Sequence, residues 1–218
     1  MDATQIAVLP HAGPTTGLRS YVIISLAALI ATAFFVVVAL PYLALDPKVL
    51  ARYASLSGWV LVHIAAGAVA LLAGPVQLWL GIGRRAARLH RGLGLVYVMS
   101  VGISSVAAFY LAVHTRLGWG FGAGITGLGI AWVVTTTLAV VAIRRGFVEQ
   151  HREWMIRSYV VTFAFVTFRA LWSALQAARI GTLHEQLAVS SWFCWAIPLL
   201  VVEAMLQGRK VFGDARQL

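Results

Sequence analysis

The sequence predicts an all-α integral membrane protein, with six transmembrane helices and a four-helix core made by spans two to five. Three observations predict it. The 218 residues are 61% hydrophobic and only 11% charged, with a mean hydropathy of +0.86. The apolar residues fall in six continuous stretches, each long enough to cross about 30 Å of hydrocarbon as a helix. The Lys and Arg residues concentrate in alternate loops, as the positive-inside rule requires. A β-barrel is excluded, because its strands would alternate in polarity instead of running continuously apolar.

The first span, Arg19–Leu43, follows a polar segment, residues 1–18, that lacks the apolar centre of a secretory signal. Spans two and three, Ser57–Ile82 and Gly92–His114, flank a loop with Arg84, Arg85, Arg88 and Arg91. Spans four and five, Phe121–Ile143 and Trp154–Gln176, flank Arg144, Arg145 and Arg152, with Arg157 just inside the span. Span six, Gln186–Leu206, closes the transmembrane domain of residues 19–206 and leads to a tail, 207–218, with Arg209, Lys210 and Arg216. The opposite side carries only Lys48, Arg52, Arg116 and Arg179. Both termini are therefore expected in the cytoplasm of a bacterial cell, with the chain in the inner membrane and its basic loops against anionic lipid headgroups. Trp59, Trp119 and Trp192 at outer ends, and Trp79 and Trp154 at inner ends, form the matching aromatic belt. This placement accounts for the net charge of +10 without nucleic acid. Pro75 and Pro198 are expected to kink or loosen spans two and six.

A helix-pair repeat runs through the core. Span two ends in Arg84-Arg85, followed by Leu89-His90-Arg91 and then Tyr97 in span three. Span four ends in Arg144-Arg145, followed by Gln150-His151-Arg152 and then Tyr159 in span five. Both copies run in the same direction. Duplication and the ordinary composition of basic loops both account for the pattern. If it is a duplication, spans one and six are peripheral.

Two helix faces are polar where the rest of the bundle is oily. Span two carries Trp59, His63, Ala66, Ala70, Gly74 and Gln77 at helical spacing, and the small residues suit close helix approach. Span five carries Thr162, Phe165, Arg169, Trp172, Ser173 and Gln176. An arginine at the depth of Arg169 is expensive, and no Asp or Glu lies deep in any span to pair with it. His63, Arg169, Trp172, Gln176 and Gln77 are thus the candidate ligand-binding residues. His63 and Arg169 are expected to face one cavity walled by Trp172 and Gln176. A haem propionate, a quinone carbonyl or a lipid phosphate suits a fixed guanidinium fork, and a purely structural network suits the same residues. At the inner edge, His90 and His151 each open an outward-running helix. They are candidate metal ligands, placed to bind a haem b iron from two sides, and equally placed to anchor phosphates at helix N-termini. Cys194, the lone cysteine, excludes an intramolecular disulfide, a CxxC pair and covalent CxxCH haem attachment.

The stretch from His63 through Gly74-Pro75-Val76-Gln77 to Leu89-His90-Arg91 and Gly94, with His151-Arg152 through Met155-Ile156-Arg157-Ser158-Tyr159 to Arg169, resembles a bacterial membrane-protein family known as domain of unknown function 2306. The resemblance covers about residues 57–178 and implies a membrane class without a settled activity. A looser likeness is to cytochrome b561-like bundles, where histidines at helix ends hold haem. Span four has no histidine to pair with His63, so only His90 with His151 fits that pattern. Three classes of function follow. They are a membrane redox protein binding haem b or quinone, a non-catalytic accessory or assembly subunit of a larger membrane complex or homo-oligomer, and a small transporter or lipid-binding protein. No Walker A, HExxH or GxSxG motif adds an enzyme class.

Overall fold

A computed structural model describes residues 14–46, 51–83 and 86–213. His11, Lys48, Arg84, Arg85 and Arg216 lie outside the described residues. Helix α1, Pro14–Phe34, continues through one π turn, Phe35–Ala39, into a short helix, Leu40–Leu43. Proline supplies no N–H, and its ring crowds the carbonyl four residues back. The wide turn just before Pro41 gives that ring room, with the Leu40 N–H bonded five residues back to Phe35 O. Next come α2 (Ser57–Gly83), α3 (Ala87–Val113), α4 (Trp119–Arg144), α5 (Val148–Thr162), α6 (Ala164–Ala177) and α7 (Leu183–Gly213). Counting α5 and α6 as one crossing, these make six helical spans long and apolar enough to cross a membrane.

Several boundaries differ from the sequence reading, among them the starts of the first and fifth spans, Pro14 and Val148. α3 begins at Ala87 and α7 runs on to Gly213. Arg88, Arg91, Arg209 and Lys210 are good helix formers, and their charge marks the edge of the hydrocarbon without ending the helix. The fifth span is two helices that meet at Phe163. There the Thr162 hydroxyl donates back to Ser158 O at 2.9 Å, and such back-bonding bends helices.

Side-chain contacts fix which ends lie together. Tyr21 of α1 packs on Trp79 near the end of α2, with ring centroids 4.8 Å apart. Lys210 near the end of α7 pairs with Glu153 in the second turn of α5 at 2.8 Å. The start of α1, the α2–α3 and α4–α5 turns and the end of α7 therefore share one end, here called the basic end. The core is built from α2, α3, α4 and α5, around Ala70, Ala73, Tyr97, Val101, Trp132, Tyr159 and Val161. α1 packs chiefly along α2, whereas α7 packs on α4, α5 and α6 and is more integrated than a peripheral span.

Pro75 and Pro198 sit inside continuous helices, α2 and α7, and neither interrupts its helix. Each frees the carbonyl four residues back, and a hydroxyl from the fifth span takes it. Tyr159 OH donates to Leu71 O at 3.3 Å. Thr167 Oγ1 donates to Cys194 O at 2.7 Å. In lipid a freed carbonyl needs such a partner, so the two prolines double as docking points for α5 and α6. Gly74 completes the first of these joints, because any Cβ there would overlap the Tyr159 ring.

The turns use recognisable chemistry. Gly146 has φ +80°, with Phe147 N–H bonded to Ala142 O at 2.9 Å and Gly146 N–H to Ile143 O at 3.1 Å, a Schellman ending for α4. Thr182 and Glu185 form a capping box at the start of α7, with Thr182 N–H donating to the Glu185 carboxylate at 2.7 Å.

Candidate functional site

In the inner pair, His90 lies in the first turn of α3 and His151 in the first turn of α5, both at the basic end. His151 Nδ1 is 2.9 Å from Ala139 O. A carbonyl only accepts, so Nδ1 carries the proton and Nε2 keeps its lone pair. His90 Nδ1 is buried with no hydrogen-bond partner among the described residues. The amide of Gln77 donates to His90 O at 2.8 Å, and the His90 ring lies beside Gly81 of α2. Gln77 shares a face of α2 with His63 but lies 14 residues away, about 21 Å along the axis. It therefore belongs to the inner site.

At the opposite end, His63 Nδ1 donates to Ser104 O at 3.0 Å, and the Ser104 hydroxyl donates back to His63 O at 3.0 Å. His63 is thus held in one tautomer, and its Nε2 has no hydrogen-bond partner among the described residues. Its ring packs against Phe165 at 5.3 Å, and Arg169 is one turn beyond Phe165 on α6. No hydrogen bond joins His63 to Arg169 among the described residues. Arg169 Nη2 donates to Tyr42 OH at 3.4 Å, and its guanidinium lies over Trp172, 5.6 Å from the ring centroid. Trp172 Nε1 is buried without an acceptor among the described residues, and Gln176 is exposed. Tyr42, near the end of span one, and Ser104, in the middle of span three, carried no signal in the sequence reading.

Between these ends is a buried knot of hydroxyls. Tyr97 OH meets Ser158 Oγ at 2.8 Å and Thr162 Oγ1 at 2.7 Å. Trp132 Nε1 donates to Thr162 Oγ1 at 2.8 Å, and Thr136 Oγ1 meets Ser158 Oγ at 2.7 Å. Thr136 and Thr162 each also donate to a backbone carbonyl four residues earlier. The sealed knot therefore holds five side-chain protons for six contacts, so every donor has an acceptor. It contains nothing for a ligand to satisfy and reads as the staple of the core. At the basic end, Arg157 is buried, with Nε 2.6 Å from Glu203 and Nη1 3.6 Å from Glu153. Its carboxylates come from α5 itself and from α7.

A family described as predicted membrane proteins, DUF2306, matches residues 60–206. The chain belongs to that family. The match to the DUF2306 profile takes in every candidate residue from His63 to Gln176, the hydroxyl knot, both proline joints and the Arg157–Glu203 pair, whereas Tyr42 falls outside it. No curated protein and no solved structure matches the chain.

Proposed function

We propose that this integral membrane protein holds a haem b between His90 and His151 and takes part in electron transfer within the membrane. What supports the reading is the pair itself, two imidazoles in the opening turns of α3 and α5, each with a ring nitrogen left for a ligand. The donor chemistry fits. His151 has its Nδ1–H tied to Ala139 O, the arrangement that orients a ligating histidine and leaves Nε2 to bind. His90 is half-buried, and its buried Nδ1 has no partner among the described residues. A haem b held there would supply one-electron exchange. The chain's part is to orient the rings: Ala139 O fixes the His151 tautomer and Gln77 steadies the His90 turn.

The test is the visible spectrum of detergent-purified protein expressed with ample haem. The expected result is a b-type Soret band that shifts on reduction, is lost in His90→Ala and in His151→Ala, and survives in Arg169→Met. A wild-type preparation with no haem-linked absorbance sinks the proposal.

A specific observation supports a second ligand at the other end. Of the five N–H donors of Arg169, one meets Tyr42 OH, and the nearby Trp172 Nε1 has no acceptor. The ligand we propose there is a quinone, its carbonyl on the guanidinium. A photoreactive quinone should label α6 near Arg169 in wild type and not in Arg169→Met. If the variant instead loses association with a larger membrane complex, the accessory-subunit reading replaces the quinone.

A further inference from the structure

A third region, outside both proposed sites, is a cleft of about 340 Å³ between α5 and α7 at the basic end. Its charges fall into two sets. Glu153 is half of a closed system: Lys210 pairs with it at 2.8 Å, and Arg157 bridges Glu153 and Glu203. That system is neutral, and its charges face one another, although Arg157 Nη1 makes no hydrogen bond among the described residues. The rim is less closely paired. Arg209 is exposed and has no ion pair among the described residues. Glu149 and Arg152 meet only at 3.7 Å, with both side chains mostly in solvent, and such a pair is worth little.

The residues are also ordered by depth. Ile156 and Leu206 are the apolar lining residues, and along their helices they lie farthest from the basic end. About one turn farther out on each helix come the cations Arg152 and Arg209. About one turn beyond Arg152 comes the carboxylate Glu149, roughly 10 Å from Ile156 along the α5 axis. Apolar, then cationic, then anionic is the complement of a phospholipid read from its glycerol outward: acyl esters, phosphate, ammonium.

We infer that this cleft binds a zwitterionic, amine-bearing glycerophospholipid, with Arg152 and Arg209 on the phosphate and Glu149 on the ammonium. Two cations around one phosphate make charge-assisted hydrogen bonds. Glu149 adds a third such bond to an ammonium, and offers a hydroxylated anionic headgroup only a neutral donor. The apolar floor selects a lipid over free phosphoethanolamine, because its acyl ends gain contact with Ile156 and Leu206.

The experiment is native mass spectrometry of the full chain, released from detergent with equimolar phosphatidylethanolamine and phosphatidylglycerol. The expected result is roughly tenfold higher phosphatidylethanolamine occupancy, the factor one charge-assisted bond supplies. Glu149→Gln should collapse that preference to near unity while keeping phospholipid bound. Arg209→Gln should lower binding of both lipids. Both positions are on the exposed rim, so folding is not at stake, and an unchanged thermal melt checks that. Equal occupancy of the two lipids in wild type, no effect of Glu149→Gln, or saturation by soluble glycerophosphoethanolamine at the same concentration as lipid would each overturn the inference.

Discussion

Thr162 and Arg169 sit two turns apart in the fifth span, on either side of Phe163, and their chemical circumstances are opposite. Thr162 lies in a knot where every proton has an acceptor. Arg169 has one long bond to a neutral tyrosine, and beside it an indole N–H with no acceptor among the described residues. Polarity in a membrane span is thus not one signal. A satisfied polar group staples helices together. An unsatisfied one, still carrying its desolvation cost, is where an outside ligand would gain most.

The largest effect should come from breaking the satisfied side. Thr162→Val keeps the shape but removes the acceptor of Trp132 Nε1, leaving a buried donor unpaired. Unfolding in detergent should show a loss of about 2 kcal/mol. Adding Trp132→Phe to that variant should recover part of it. Tyr97→Phe should cost less, because it deletes one proton along with two contacts and strands no donor. If Thr162→Val proves as harmless as Tyr97→Phe, the knot does not staple the core.

A smaller effect tests the proline joint. Tyr159→Phe should cost about 1 kcal/mol by stranding the Leu71 carbonyl. In a Pro75→Ala background the alanine's own N–H takes that carbonyl, and the same change should cost close to nothing. Equal costs in the two backgrounds would show that Tyr159 serves α2 by packing alone.

The smallest stability effect is expected at the open end. Arg169→Met should lie within about 0.5 kcal/mol of wild type or be mildly stabilising, since a poorly paired charge is replaced by an apolar chain. A loss comparable to that of Thr162→Val would place Arg169 with the staples and remove the reason to seek a ligand there.

Spans, their number and the shared end of the basic loops were legible in the sequence, because continuous apolar length and charge placement are properties of the chain itself. The break at Phe163 was not, since no Gly or Pro marks it and its cause is a threonine hydroxyl. Periodicity placed Gln77 on the face of His63 but is blind to depth, and depth decided that Gln77 serves His90. The knot was invisible for a related reason: Ser158, Thr136 and Thr162 are mild residues alone, and only partners on α3 and α4 make them a network. The capping pattern Thr182-x-x-Glu185 was present but unused in the sequence reading, which began span six at Gln186. The pairing of Pro75 with Tyr159 and Pro198 with Thr167 becomes apparent only when one asks which side chain receives each freed carbonyl.

The interruption at Phe163 also divides the fifth span mechanically. Below it, α5 is clamped by the knot and by Tyr159 on α2. Above it, α6 is secured to α7, through Thr167 and Cys194, more than to the four-helix core. Force applied at Arg169 therefore acts on a lever made of α6 and the adjoining part of α7, with its fulcrum at Phe163, and the stiff half of the bundle has no need to yield. The less braced half of the fifth span is thus the one that carries Arg169 and the unpartnered Trp172 indole.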